Sequence, residues 1–102
     1  MSQQPSPQEV AEQVLAHPSV ARLHGGRFGE IASYLPGDKV VGVRLPEDAP
    51  AEIGVALRMD RPLQETAEEL RAQLSEQLGR PVDVVVSDVV TDDESHESDR
   101  VE

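Results

Sequence analysis

Three histidines, His17, His24 and His96, and eight serines are the side chains a ligand-holding or nucleophilic site would draw on in this 102-residue sequence, which has no cysteine. The histidines do not make a metal set. Neither His17 nor His24 has a second histidine or a carboxylate at helical ligand spacing, and His96 lies in a polar tail, whereas a bound metal ion needs three or four convergent ligands. No serine sits in a Gly-x-Ser-x-Gly or Ser-x-x-Lys context. Paired acids such as Glu68-Glu69 and Asp92-Asp93 fall on the wet face of a helix or in a polar tail, where they solvate rather than shuttle protons. The residues therefore assign no catalytic, metal or cofactor position, and the chain reads as a non-enzyme that needs no cofactor.

One segment carries a different chemistry. Residues 24–38 hold both aromatic residues of the chain, Phe28 and Tyr34. Arg22, Arg27, Lys39 and Arg44 against Glu30 and Asp38 give residues 22–45 a local charge of +2 in a chain at −11. Arginine and aromatic side chains are favoured anchors of protein interfaces, so Arg22, Arg27, Phe28, Tyr34 and Arg44 are the candidate partner-binding residues. Against this stands the plainer expectation that Phe28, Ile31, Tyr34 and Leu35 pack on the core and the glycines make turns. Gly26-Arg27-Phe28-Gly29 also fits the G-x-x-G loop with which KH domains clamp a nucleic-acid backbone, which makes a nucleic-acid-binding module the alternative function. In a KH domain that loop joins two helices, and no helical pattern follows it here. A chain this acidic also lacks the clustered Lys and Arg that phosphate neutralisation requires, which disfavours nucleic acid as a partner.

The elements that would position this segment are legible on both sides of it. Ser6-Pro7-Gln8-Glu9 is a capping box with proline at the first helical position, and Val10, Val14 and Leu15 then fall on one face until His17-Pro18. Val20–Leu23 reads as a short strand. Val41, Val43 and Leu45 alternate with Gly42 and Arg44, and Ile53, Val55, Leu57 and Met59 alternate with Glu52, Gly54, Ala56 and Arg58, predicting an antiparallel pair joined through residues 46–51. Leu63, Ala67, Leu70, Leu74 and Leu78 form the stripe of a second helix, with Asp60 as its cap, Pro62 in its first turn and Gly79 past its end. Val82, Val84 and Val86 share one face of a closing strand. The order helix, strand, hairpin, helix, strand predicts an α+β fold: a small two-layer sandwich whose antiparallel or mixed sheet carries two helices on one face.

Residues 91–102 hold six acids and one arginine, a local charge of −5, with one apolar residue in twelve. Such a segment buries too little to offset the entropy of ordering, so a disordered acidic tail is expected over 91–102, a flexible start over 1–5 and one domain over 6–90. No stretch approaches the roughly 18–20 apolar residues of a spanning helix, and Met1-Ser2-Gln3-Gln4-Pro5 lacks the basic and apolar regions of a secretory signal.

Taken together, these segments resemble the alkaline shock protein 23 / general stress protein 24 family of envelope stress response proteins. The resemblance is carried by the helix Val10–Ala16 running into His17-Pro18-Ser19-Val20-Ala21-Arg22-Leu23, then by Leu23-His24-Gly25-Gly26-Arg27-Phe28-Gly29-Glu30 and Val40-Val41-Gly42-Val43-Arg44-Leu45. The helix Leu63–Leu78 and the closing Gly79-Arg80-Pro81-Val82-Asp83-Val84-Val85-Val86 complete it, over residues 8–90. The chain departs from the family at Leu78-Gly79, where members usually read Thr-Gly, and in lacking an asparagine within Val84-Val85-Val86. The resemblance implies a non-catalytic cytoplasmic protein that acts as an interaction or scaffold module. It implies a protein partner, a small membrane-anchored one that holds it near the membrane, as well as homo-oligomers and no direct membrane insertion. Deleting residues 91–102 is expected to leave cooperative thermal unfolding and its midpoint unchanged while altering solubility or assembly; loss of cooperative unfolding would refute the division at 90.

Overall fold

The computed structural model describes residues 5–91. The flexible start expected over 1–5 and the acidic tail expected over 91–102 lie outside the described residues, apart from Pro5 and Thr91, as does His96.

The capping box forms as read: Ser6 Oγ accepts from the Glu9 N–H at 3.2 Å, the Ser6 N–H donates to Glu9 Oε1 at 3.1 Å, and helix α1 runs Pro7–Leu15. Val10 and Val14 are fully buried. Leu15, expected beside them, is 48% exposed, because the helix ends there and the chain turns away through His17-Pro18. Strand β1 (Val20–Leu23) follows, then β2 (Ala32–Leu35), β3 (Asp38–Val41), β4 (Val43–Arg44), β5 (Ala51–Arg58), helix α2 (Leu63–Leu78) and β6 (Val82–Val90).

β5 is the centre of the sheet. On one side it pairs antiparallel with β1 (Leu23 opposite Val55) and with β4 (Val43 opposite Ile53); on the other it pairs parallel with β6 (Ile53 opposite Val84). The parallel pair needs a crossover, and α2 supplies it. The sheet is therefore mixed. Ile53, Val55 and Leu57 of β5 form one buried cluster with Val10 and Val14 of α1, Leu70, Leu74 and Leu78 of α2, and Val43 and Val82. Both helices thus cover the same face, with Leu63, Val84 and Val86 packed at its margin. The structure is the α+β arrangement that the order of elements predicted.

Three local readings are corrected. Asp60 does not cap α2: Pro62 occupies the N-cap without a side-chain bond, and Asp60 Oδ1 accepts from Ser19 Oγ at 3.0 Å. Met59 is 54% exposed because β5 ends at Arg58. Val41 does not continue the alternation of Val43. It is 41% exposed, since the chain reverses at Gly42 (φ +92°) and puts Val40 into the core instead.

That reversal is forced by close approach. β1 and β4 share one side of β5 end to end, and Gly54 stands where the partner changes: its C=O accepts from the His24 N–H at 2.8 Å and its N–H donates to the Gly42 C=O at 2.9 Å. A Cβ on Gly42 would sit 2.7 Å from Leu23 Cβ, and one on Gly54 would overlap the His24 carbonyl oxygen. Gly54→Ala is therefore expected to lower stability by about 2–3 kcal/mol through backbone displacement. Urea unfolding reads this directly, and a change within 0.5 kcal/mol, about the range of a neutral surface substitution, would show that the crossing is not tight.

Candidate functional site

Between β1 and β4 the chain builds an excursion of its own. Gly26 and Gly29 close a turn, with the Gly29 N–H donating to the Gly26 C=O at 3.1 Å and the Gly26 N–H donating to His24 Nδ1 at 3.0 Å. Ile31 pins the excursion to the body: it is 4% exposed, its N–H donates to the Gly25 C=O at 2.9 Å and its C=O accepts from the Gly42 N–H at 2.8 Å. β2 and β3 then pair antiparallel across Pro36-Gly37, with Ala32 opposite Val41 and Tyr34 opposite Lys39.

Opposite residues of a strand pair share a face, so this hairpin has two. Its inner face carries Val40, which is in the core, Leu35, which packs against it, and Ser33, whose Oγ donates to the Val43 C=O. Its outer face carries Tyr34, Lys39 and Val41. The Lys39 ammonium lies 5.5 Å from the Tyr34 ring centroid, a cation–π distance. A Cβ on Gly25 would lie 3.3 Å from Gly29 Cα and 3.4 Å from Val41 Cγ1, so the backbone of the Gly25–Gly29 turn passes beside Val41.

The expectation that Phe28 and Tyr34 pack on the core fails, and it fails for these two alone: Phe28 is 80% and Tyr34 72% exposed, whereas Ile31 is buried and Leu35 half-buried. Arg27 is exposed and forms no ion pair among the described residues. The Gly26–Gly29 turn joins β1 to β2, not two helices, so its likeness to a KH loop ends at the four residues.

Arg22 and Arg44 lie elsewhere, on the helix-free face of the sheet. Arg22, Ala56 and Asp88 are neighbours on three adjacent strands, and the guanidinium of Arg22 reaches Asp88 at 3.0 Å across Ala56, which is fully buried. Arg44 meets Glu52, its register partner, at 3.0 Å. Both pairs are about half exposed, a setting in which an ion pair contributes roughly 0–1 kcal/mol. They neutralise the sheet face more than they hold the fold. The five candidate residues thus divide into Arg27, Phe28 and Tyr34 on the excursion and two paired arginines on the ladder. Lys39 and Val41 belong with the first group and were not singled out in the sequence; the signal was the Tyr34/Lys39 spacing about Pro36-Gly37.

A second polar cluster joins α1 to α2. His17 is buried, and its Nδ1 accepts from the Ser19 N–H at 3.1 Å, which places the ring proton on Nε2. Nε2 faces Glu69 Oε1 at 3.8 Å, and Arg61 donates to the same oxygen at 2.7 Å. Ser, His and Asp therefore stand close together without making a nucleophile: the Ser19 hydroxyl donates to Asp60, and the ring nitrogen nearest Ser19 is taken by its backbone. Among the described residues no group of three or more His, Asp or Glu side chains is placed to hold a metal ion, and no helix is long and apolar enough to cross a membrane. No protein-family model matches the chain, and neither a curated protein nor a solved structure matches it.

The Arg61 hydrogen bond, followed by its charge, holds the Glu69 carboxyl below the usual glutamate range, and Glu69 in turn raises Arg61. A lowered folded-state pKa means that this pair favours the native state above the unfolded glutamate pKa and loses that contribution as pH falls through the folded value. Arg61→Ala is expected to move the Glu69 midpoint upward, toward that of an isolated glutamate, in a carboxyl-carbon NMR titration. An unmoved midpoint would assign the shift to His17 instead.

Proposed function

We propose that the chain is a non-catalytic protein-interaction module, and that the face made by Arg27, Phe28, Tyr34, Lys39 and Val41 is where it holds a protein partner. The observation that carries this reading is the exposure of Phe28 and Tyr34, the only Phe, Tyr or Trp in the chain, at 80% and 72%, on an excursion where Ile31 and Val40 are buried and Leu35 is half-buried. A Phe ring left in water forgoes about 1.5–3 kcal/mol that burial would return. Here the turn and the Ile31 anchor hold the ring out, so a partner surface is the remaining place to bury it. Lys39 over the Tyr34 ring and an exposed Arg27 next to Phe28 in the chain give the excursion the mixed aromatic and cationic composition that interface anchors favour.

The resemblance to the envelope stress response proteins supports the same reading and supplies its setting: a cytoplasmic module, without cofactor, held near the membrane by a small membrane-anchored protein. The acidity of the chain supports an indirect attachment, since anionic lipid repels a protein at −11. Affinity capture from native cells checks both parts. A small membrane protein should be recovered with the wild-type chain, and the Phe28→Ala/Tyr34→Ala variant should bind it at least about tenfold more weakly, as expected for interface anchors. Both positions are exposed, so the variant should keep the wild-type circular dichroism and unfolding midpoint. Equal recovery by both proteins would remove the excursion from the function.

A further inference from the structure

We propose that His24 is a pH-sensitive latch on the excursion. Neutral, its ring closes the turn that holds Phe28 out; protonated, it releases that turn and weakens the hold on a protein partner. The second half builds on the binding reading given above, and the first half stands without it.

The latch is a pair of hydrogen bonds that meet at Gly26. The His24 N–H donates to the Gly54 C=O at 2.8 Å, which fixes the residue's backbone at the crossing whatever its ring does. The half-buried ring then accepts from the Gly26 N–H through Nδ1 at 3.0 Å. Gly26 in turn offers its C=O to the Gly29 N–H at 3.1 Å, and Phe28 lies inside that loop. The turn that presents Phe28 is thus tied to the body of the sheet through one imidazole.

That bond requires a neutral ring. An imidazole that accepts at Nδ1 carries its proton on Nε2, and an imidazolium donates from both nitrogens. A proton on Nδ1 would set donor against donor at Gly26, so the closed turn and the charged ring exclude each other. Histidine changes charge between about pH 5 and 8, and linkage then makes acid open the turn.

The surroundings give the imidazolium nothing in exchange. The backbone of His24 meets only Gly42 and Gly54 at the crossing. Charges on the neighbouring strands are engaged with each other, Arg22 with Asp88 and Arg44 with Glu52. On the hairpin, Asp38 accepts from Gln8 and Lys39 lies over Tyr34. Within the turn, Arg27 has the same sign as the charged ring, and neither Glu30 nor any other carboxylate among the described residues forms an ion pair with His24. His17 differs here. It accepts from the Ser19 N–H in the same way, but its other nitrogen faces the Glu69 carboxylate, a partner that a charged ring keeps.

An NMR titration of the full chain from about pH 8 to 5 tests the latch. The Gly26 amide proton should move upfield with the midpoint of the His24 ring signals. Protection of the Gly29 amide should fall about two- to tenfold, the worth of one net hydrogen bond. His24→Asn supplies a carboxamide oxygen that accepts from the N–H two residues on and does not titrate, so its Gly26 shift should stay at the closed value. His24→Ala should show the open value throughout. The membrane protein recovered by capture should bind wild type about two- to tenfold more weakly at the acid end, and His24→Asn equally at both ends. A Gly26 shift that follows the His17 or His96 ring, or that moves equally in His24→Asn, overturns the latch. A turn that titrates while binding stays constant overturns the coupling and counts against the excursion as the binding face.

Discussion

The arrangement depends on one close approach, that of the His24, Gly42 and Gly54 backbones. β5 can have two partners end to end on a single side only if the chain leaving β1 and the chain entering β4 both reach it at Gly54, which donates to one and accepts from the other. No side chain fits at that crossing. Because β1 stops there and β4 begins there, the residues between His24 and Gly42 have no place in the main sheet and must fold beside it. The excursion, and with it the exposure of Phe28 and Tyr34, follows from the crossing.

The core makes the opposite use of β5. Ile53, Val55 and Leu57 face the helices and are fully buried, as are Gly54 and Ala56 on the other face. Small residues on the helix-free side leave room for Arg22 to cross to Asp88, so that face is closed by an ion pair instead of a third layer. A buried strand with two different covers needs neither a long sheet nor a large core, which suits a domain of this size.

How much of this the sequence discloses depends on how local the cause is. The Ser6–Glu9 box, the Leu70-Leu74-Leu78 stripe and the Val82-Val84-Val86 face are periodic or capped within one element, and each forms as its pattern predicts. Val41 is misread because Gly42 breaks the alternation for a reason that lies in His24 and Gly54, distant in sequence. Asp60 is misread because Ser19, forty-one residues away, takes its carboxylate. The β2–β3 hairpin is hidden for a conformational reason. Two-residue hairpin loops favour positive φ at their first position, which Asn-Gly signals, whereas Pro36 fixes that φ negative and reads as an ordinary loop. The composition of the site was visible in residues 22–45, but its division was not: whether an arginine is paired depends on the strand register, and that placed Asp88 beside Arg22 and Glu52 beside Arg44.

The two sides of β5 differ for the same reason. On the β6 side one parallel ladder runs from Ala51 to Arg58 with a single shift in register, so no segment is put out of the sheet there. On the other side the partner changes from β1 to β4 at Gly54, and the chain between those two strands has to fold beside the sheet.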